Sequence, residues 1–122
     1  MYQRTSTVSE AIRNISSVRP LASLDLALVG NCAVSALIDP LARVVWCCMP
    51  RFDSPPVFHA LLDSAQGLPE HGCMAVQLEN CSRSSQAYVP GTAVLRTSLF
   101  NDAGDGIEIT DFAPRFQHHD RM

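Results

Sequence analysis

The chain has 122 residues, a hydrophobic fraction of 47% and a formal net charge of −3. This length suits one domain, and the composition excludes a disordered chain and gives no basic surface for nucleic acid. The sequence holds neither a membrane-spanning apolar run of about 18 residues nor a signal-peptide core, so it predicts a cytoplasmic protein without a membrane partner.

The first 23 residues are polar and rich in Ser and Thr, with Pro20 near their end. A weak helical pattern extends from Val8 to Ile15. We interpret residues 1–23 as a leader or arm, disordered or partly helical, that precedes the domain.

Three short apolar runs follow, LDLALVG, AVSALIDP and RVVWCCMP. They are separated by Gly30-Asn31 and Pro40, and the last ends at Pro50, all of which favour turns. Their β-branched and apolar content predicts three consecutive strands in a meander.

The segment RFDSPPVFHALLDSAQG changes character and predicts a short helix of about two turns that ends near Gly67. Asp53 or Ser54 could cap this helix, and Pro55-Pro56 suits a first turn. The apolar residues fall at helical spacing: Val57, Phe58, Leu61 and Leu62.

Four further strands are predicted in the runs GCMAVQLEN, SRSSQAYVP, AVLRTSLFN and GIEITDFAP, the last after a turn at 102–106. Seven short strands with one short helix predict a mainly β fold, an antiparallel β-sandwich. The final segment RFQHHDRM has no strand to pair with, so we expect the sandwich to be truncated at its C-terminal end.

Five cysteines make an odd set without the C-x-x-C spacing of a zinc site, so we expect buried thiols and no metal or cofactor. A redox or metal module is one hypothesis for the function of the chain, besides the two that follow from the family resemblance described below. It would use Cys47, Cys48, Cys73 and Cys81.

Catalytic groups are not indicated by any sequence context, and we predict no catalytic residue. Glu108 and Asp111 are three apart on a predicted strand, so they should lie on opposite faces. The other acids and histidines considered are Glu79, Asp53, Asp63, His59, His71, His118 and His119.

The loop PRFDSPP is the most suggestive local feature, because prolines hold an arginine, an aromatic ring and an acid between them. Such rigid loops often bind a partner. The alternative is a local ion pair between Arg51 and Asp53 that only shapes the turn. For Trp46, packing in the core competes with stacking on a ligand.

Several motifs in order resemble the N-terminal domain of trehalase-like and glucoamylase-like enzymes, glycoside hydrolase family 15, over residues 24–122. They are LALVGN, SALID, VWCCMPRFDSPPVFHALLD, YVPGTAVLRT and ITDFAPRF. The sequence departs from the family pattern at Ala33, at Leu41-Ala42-Arg43 and at Val45.

The resemblance implies a β-sandwich packed on a separate (α/α)6 barrel that carries the catalytic glutamates and is absent from this chain. Family members hydrolyse α-glucosidic bonds of trehalose, starch or related glucans with inversion. We therefore expect an incomplete, non-catalytic N-terminal domain that is inactive alone and self-associates through its exposed docking surface.

The same resemblance places a group of side chains near the mouth of the barrel, as contacts to the barrel or the substrate. The group is Arg51, Phe52, Asp53, Ser54 and Trp46. The alternative function is an autonomous carbohydrate-binding module that stacks sugar on Trp46 or Phe52.

Overall fold

The computed structural model describes residues 24–62 and 72–115, which form two antiparallel sheets. The predicted arm 1–23, the end of the predicted helix and the final segment 116–122 lie outside the described residues. The strands of sheet A are β1 (Ala27–Gly30), β2 (Ser35–Ile38), β3 (Val44–Cys48) and β4 (Pro56–Phe58). Those of sheet B are β5 (Cys81–Tyr88), β6 (Leu95–Asn101) and β7 (Gly106–Asp111).

Both sheets follow chain order, with each strand antiparallel to the next. The mainly β class and the antiparallel arrangement are therefore confirmed, and the first three strands form the predicted meander. The sequence predicted this because short β-branched runs between Gly, Asn and Pro turns leave no room for crossover helices.

The predicted helix after Ser54 is wrong where the structure describes it. Phe58 pairs with Cys47 in β4, and only a single 3-10 turn, Ala60–Leu62, follows. The amides of His59 and Ala60 both donate to the carbonyl of Gly72, at 2.8 and 2.9 Å. These amides bond to a distant segment instead of an earlier helical turn, so tertiary pairing overrides the helical spacing of the apolar residues.

The predicted strand at 72–80 is also wrong, because only Met74 forms a bridge, to Val44 of β3. Gly72 starts this segment with φ of +72°, a left-handed conformation that favours glycine. Past Met74 the side chains of Ala75, Val76 and Gln77 are exposed, so the apolar residues there have no sheet to cover. The described residues still form seven strands, because β4 takes the place of the strand predicted at 72–80.

The core between the sheets is small and comes mainly from sheet A. Val29, Ile38, Val44 and Cys47 form a buried cluster that Leu95 joins from sheet B. Strand β3 is buried at four of its five residues, since Val45 forms a bulge opposite Leu37 and Ile38 and adds a further buried side chain.

Buried and exposed side chains alternate clearly along strand β6. Leu95, Thr97 and Leu99 are at most 2% exposed, whereas Arg96 and Phe100 face outward. The alternation fixes the face of sheet B that meets sheet A, because a slip of one residue would expose every apolar side chain.

Two polar side chains of β5 connect the sheets. The Gln86 Nε2 donates to the carbonyl of Asp39 at 3.0 Å and to Thr97 Oγ1 at 2.9 Å. The Tyr88 hydroxyl accepts from the amide of Leu28 at 2.9 Å and donates to its carbonyl at 2.8 Å. Because β1 is an edge strand, Tyr88 satisfies backbone groups that would otherwise be left to solvent.

Asp39 organises the turn between β2 and β3 although it is only 5% exposed. Its Oδ1 accepts from the amides of Leu41 and Arg43 at 3.0 and 2.9 Å, and its Oδ2 accepts from Arg43 Nε. Ala42 takes a positive φ of 60° within this turn. The turn therefore keeps a charged network although its sequence departs from the family pattern.

No disulfide joins any of the five cysteines, all of which lie in the described residues. Cys47 and Cys48 are buried, whereas Cys32 is exposed, so the expectation of buried thiols holds for only some of them. Within 24–62 and 72–115 no group of three or more His, Cys, Asp or Glu could hold a metal. Nor does this part contain a helix long and apolar enough to cross a membrane.

Candidate functional site

The proline-rich loop between β3 and β4 forms a closed turn on the surface. Its first peptide bond, Met49–Pro50, is cis. The Arg51 amide donates to Ser54 Oγ at 3.3 Å, and the Ser54 amide donates to the carbonyl of Arg51 at 3.0 Å. Arg51 Nη2 and Asp53 Oδ2 lie 2.9 Å apart, so an ion pair spans the same turn.

The tip of this loop is Phe52, whose side chain points into solvent. Its amide donates to the carbonyl of Ala33 at 2.8 Å, which ties the loop to the turn between β1 and β2. Phe52 is nevertheless 62% exposed. A large apolar ring is thus held outward on a loop whose backbone is fixed by the Phe52 amide and by the bond from the Ser54 amide to the carbonyl of Arg51.

The turn between β1 and β2 also holds the segment that follows β7. Asn31 Oδ1 accepts from the amides of Ala33 and Val34 at 3.0 and 3.1 Å, and Asn31 Nδ2 donates to the carbonyl of Pro114 at 2.8 Å. Three segments far apart in sequence therefore meet at one end of sheet A: the turn 31–34, the loop 49–55 and the residues 112–115.

Exposed apolar side chains occur in two of these segments. Met49 is 50% exposed, and Phe112 is 58% exposed. We call Met49, Phe52 and Phe112 the apolar tip residues. Sequence reasoning did not select Met49, Phe112 or Asn31. A signal for them existed, because Asn31, Met49 and Phe112 all lie inside the matching motifs.

The five residues predicted for the site do not all lie together. Arg51, Phe52, Asp53 and Ser54 form the loop just described, and the predicted ion pair is present. Trp46 lies in the middle of β3, half-buried, where it pairs with Leu37 of β2. The predicted cap by Asp53 or Ser54 is wrong, because a strand and not a helix follows.

Carboxylates in the described residues are largely engaged with basic or polar side chains. Three form ion pairs with arginine: Asp39 with Arg43, Asp53 with Arg51, and Glu108 with Arg96. Two accept hydrogen bonds: Asp102 from Ser82 and Asp105 from Asn101. These contacts hold the carboxylates in turns and across paired strands.

Asp111 is different, because its Oδ2 is buried without a hydrogen-bond partner in the described part of the chain. It lies opposite Leu95 across β6 and β7, on the row that also contains Ile107 and Ile109. Glu108 is exposed on the opposite face, as the sequence predicted. Burial raises the pKa of the Asp111 carboxyl above its ordinary value.

The raised pKa of Asp111 predicts a pH dependence of stability. The folded chain binds the proton more tightly than the unfolded chain, so stability falls as pH rises from the ordinary value of 3.8 through the higher folded value. Asp111→Asn should remove this loss and stabilise the isolated chain at pH 7, by less than about 1 kcal/mol because the residue is only partly buried.

Urea denaturation at pH 3 and pH 7 measures this effect. Glu108→Gln on the exposed face of the same strand is the control, with no comparable gain expected at pH 7. A gain for Asp111→Asn that is equal at both pH values would contradict the burial of a charged carboxylate.

A comparison with known proteins gives a clear match. The family model described as trehalase-like, N-terminal, matches residues 18–122. The trehalase of Mycobacterium tuberculosis is 33% identical over 105 residues, which covers 82% of this chain and 15% of that protein. Trehalase 1 of Sulfolobus acidocaldarius is 41% identical over 90 residues, covering 73% of this chain and 15% of that protein.

The trehalase of Mycolicibacterium smegmatis is 35% identical over 80 residues, or 66% of this chain and 11% of that protein. The chain thus spans less than one sixth of the length of the relatives it matches. No solved structure matches it significantly.

Proposed function

The chain belongs to the trehalase-like N-terminal domain family, and on this premise we propose that it is the non-catalytic N-terminal part of a cytoplasmic glycoside hydrolase of family 15. Its role is to dock onto and support a separate catalytic barrel, an (α/α)6 domain that acts on α-glucosidic bonds. The length comparison supports this role, since 85% of the M. tuberculosis relative lies outside the match.

The described carboxylates also support a non-catalytic role. Inverting hydrolysis needs an acid and a base about 6.5–9.5 Å apart on either side of the scissile bond. Three carboxylates here are held by arginines, and the two on β7 point to opposite faces. We therefore expect no release of glucose when the chain alone is incubated with trehalose, maltose or starch.

The observation that carries the docking role is the exposed Phe52 on a fixed backbone. Aromatic side chains dominate protein interfaces, and an anchor that is already ordered loses little entropy on binding. Arg51 and Asp53 flank the ring as an exposed ion pair, which suits the polar rim of such a contact. The apolar tip residues would otherwise expose their surface to water, which also supports self-association of the isolated chain.

Truncation of Phe52 should weaken docking strongly. Phe52→Ala removes the ring while the backbone bond to Ala33 remains, so we expect the affinity for the catalytic part to fall about tenfold or more. The partner is the M. tuberculosis trehalase without the segment that matches this chain, titrated calorimetrically with the purified chain.

A matched control is Val76→Ala, which shortens a side chain that is 51% exposed in the segment after Gly72. This variant should bind like the wild-type chain. Equal affinity for Phe52→Ala and the wild type would exclude the loop as the docking contact, and no binding by either would remove the docking role itself.

An autonomous carbohydrate-binding module is the second candidate. The exposed ring of Phe52 favours it, whereas the half-buried Trp46 does not offer a free stacking face. Titration of the chain with maltooligosaccharides at millimolar concentration separates the two functions. We expect no heat of binding, and a saturable signal that disappears in Phe52→Ala would favour the module.

A further inference from the structure

One side chain, Asn31, connects segments that are far apart in the sequence. Its Oδ1 accepts from the amides of Ala33 and Val34 at 3.0 and 3.1 Å, which closes the turn between β1 and β2. Its Nδ2 donates at 2.8 Å to the carbonyl of Pro114, which is 83 residues further along the chain. A single amide group therefore stabilises its own turn and also holds the segment that follows β7.

The same turn fixes the loop that carries Phe52. The carbonyl of Ala33 accepts from the Phe52 amide at 2.8 Å, and the amide of Ala33 donates to Asn31. Because both bonds are made by one residue, the position of the Phe52 backbone depends on the turn that Asn31 closes.

The segment after β7 presents a second aromatic side chain. Ala113 packs against the buried core cluster, whereas its neighbours Phe112 and Pro114 are exposed, Phe112 at 58%. The pairing with β6 ends at Asp111, so the sheet no longer holds the backbone beyond that point. The bond from Asn31 to Pro114 instead fixes this backbone two residues from Phe112.

We propose that Asn31 is a positioning residue that holds Phe52 and Phe112 on one surface, against which the catalytic part of the protein docks. The proposal rests on the docking role proposed above, and it adds a second aromatic contact and the residue that orients both. Two contact residues that are already fixed relative to each other lose less conformational entropy on binding than two independent segments. The occupant is the catalytic part, since most of the M. tuberculosis relative lies outside the matched segment.

The substitution Asn31→Asp separates the two functions of the side chain. The carboxylate keeps an acceptor oxygen for the two turn amides, so the turn and the Phe52 loop remain in place. It replaces the donor to Pro114 by an oxygen that faces the carbonyl oxygen, so the segment with Phe112 is released. We expect binding of the trehalase part described above to weaken about three- to tenfold, and Phe112→Ala should have a similar effect.

Calorimetric titration of that trehalase part with both single variants and the double variant tests the proposal. Because Asn31 acts through Phe112, the double variant Asn31→Asp/Phe112→Ala should bind no more weakly than the weaker single variant. A residue that only stabilised the fold would lower the midpoint of urea unfolding without this coupling in affinity. The matched control is Asn80→Asp, which makes the same chemical change in the turn before β5 and should bind like the wild type.

A second substitution covers a failure of the first to fold. Asn31→Ser keeps an oxygen that can accept from the turn amides, and it lacks the amide nitrogen that donates to Pro114. It should therefore show the same loss of affinity and the same coupling to Phe112→Ala.

Equal affinity of either single variant and the wild type would overturn the inference and leave docking through Phe52 in place. Losses that add in the double variant would also overturn it, because Asn31 would then act independently of Phe112. If the variants change self-association in sedimentation but not binding of the trehalase part, the surface takes a second copy of the chain and the inference is wrong. If the wild-type chain itself does not bind, the docking role and this inference fall together.

Discussion

Replacing Asp39 by alanine should lower the free energy of unfolding of the chain by about 3 kcal/mol. The substitution removes the acceptor of two backbone amides, those of Leu41 and Arg43, and of the Arg43 guanidinium. The side chains of Arg43 and Asp39 are only 15% and 7% exposed, so water cannot fully replace the lost bonds. Urea denaturation followed by circular dichroism measures the loss.

An equivalent change at Asp53 is the natural control. Asp53→Ala also breaks an aspartate–arginine pair, but these side chains are 54% and 69% exposed. Exposed ion pairs contribute about 0–1 kcal/mol, so the control should lose less than a third of what Asp39→Ala loses. Equal losses in the two variants would mean that burial does not determine the energy of these pairs.

Truncation of Leu95 should destabilise the chain by a similar amount, about 3 kcal/mol. Leu95 is 1% exposed and is the one member of the buried core cluster contributed by sheet B. Leu95→Ala leaves a cavity between the sheets, and the cluster of Val29, Ile38, Val44 and Cys47 loses its contact to β6. A domain of this size is stable by only about 5–15 kcal/mol, so the loss is a large share of the total.

Thermal and urea unfolding of Leu95→Ala and of Leu28→Ala test this expectation. Leu28 carries the same side chain but is 56% exposed, so its truncation should have an effect below about 0.5 kcal/mol. If Leu95→Ala does not fold, Leu95→Val, with an expected loss of about 1 kcal/mol, gives the same comparison. Similar losses at positions 28 and 95 would contradict a core located between the sheets.

These two sites differ in what they do from Phe52, the residue proposed to dock. Asp39 and Leu95 hold the sheets and their turn together, whereas Phe52 exposes most of its ring to solvent. Residues that bind a partner are often placed at a cost to the stability of the free domain. Stability and affinity measurements on the same variants should therefore separate the two classes.

The sequence by itself determined the fold class and most strands. Alternation in β6 and β7 and the Gly, Asn and Pro turns are local signals, so they can be read without a partner segment. The matching motifs also identified the family, and they contain the loop with Arg51 and Phe52. The side chains of Glu108 and Asp111 point to opposite faces of the sheet, and this likewise follows from the two-residue period of a strand alone.

Only the tertiary structure decided the places where a distant segment competes with a local pattern. The spacing of Val57, Phe58, Leu61 and Leu62 favours a helix, but pairing with β3 and the carbonyl of Gly72 make this region a strand and a 3-10 turn. The contact between Asn31 and Pro114 joins residues 83 positions apart. The burial of Asp111 Oδ2 without a partner among the described residues was likewise hidden from the sequence, because burial is set by the packing of both sheets.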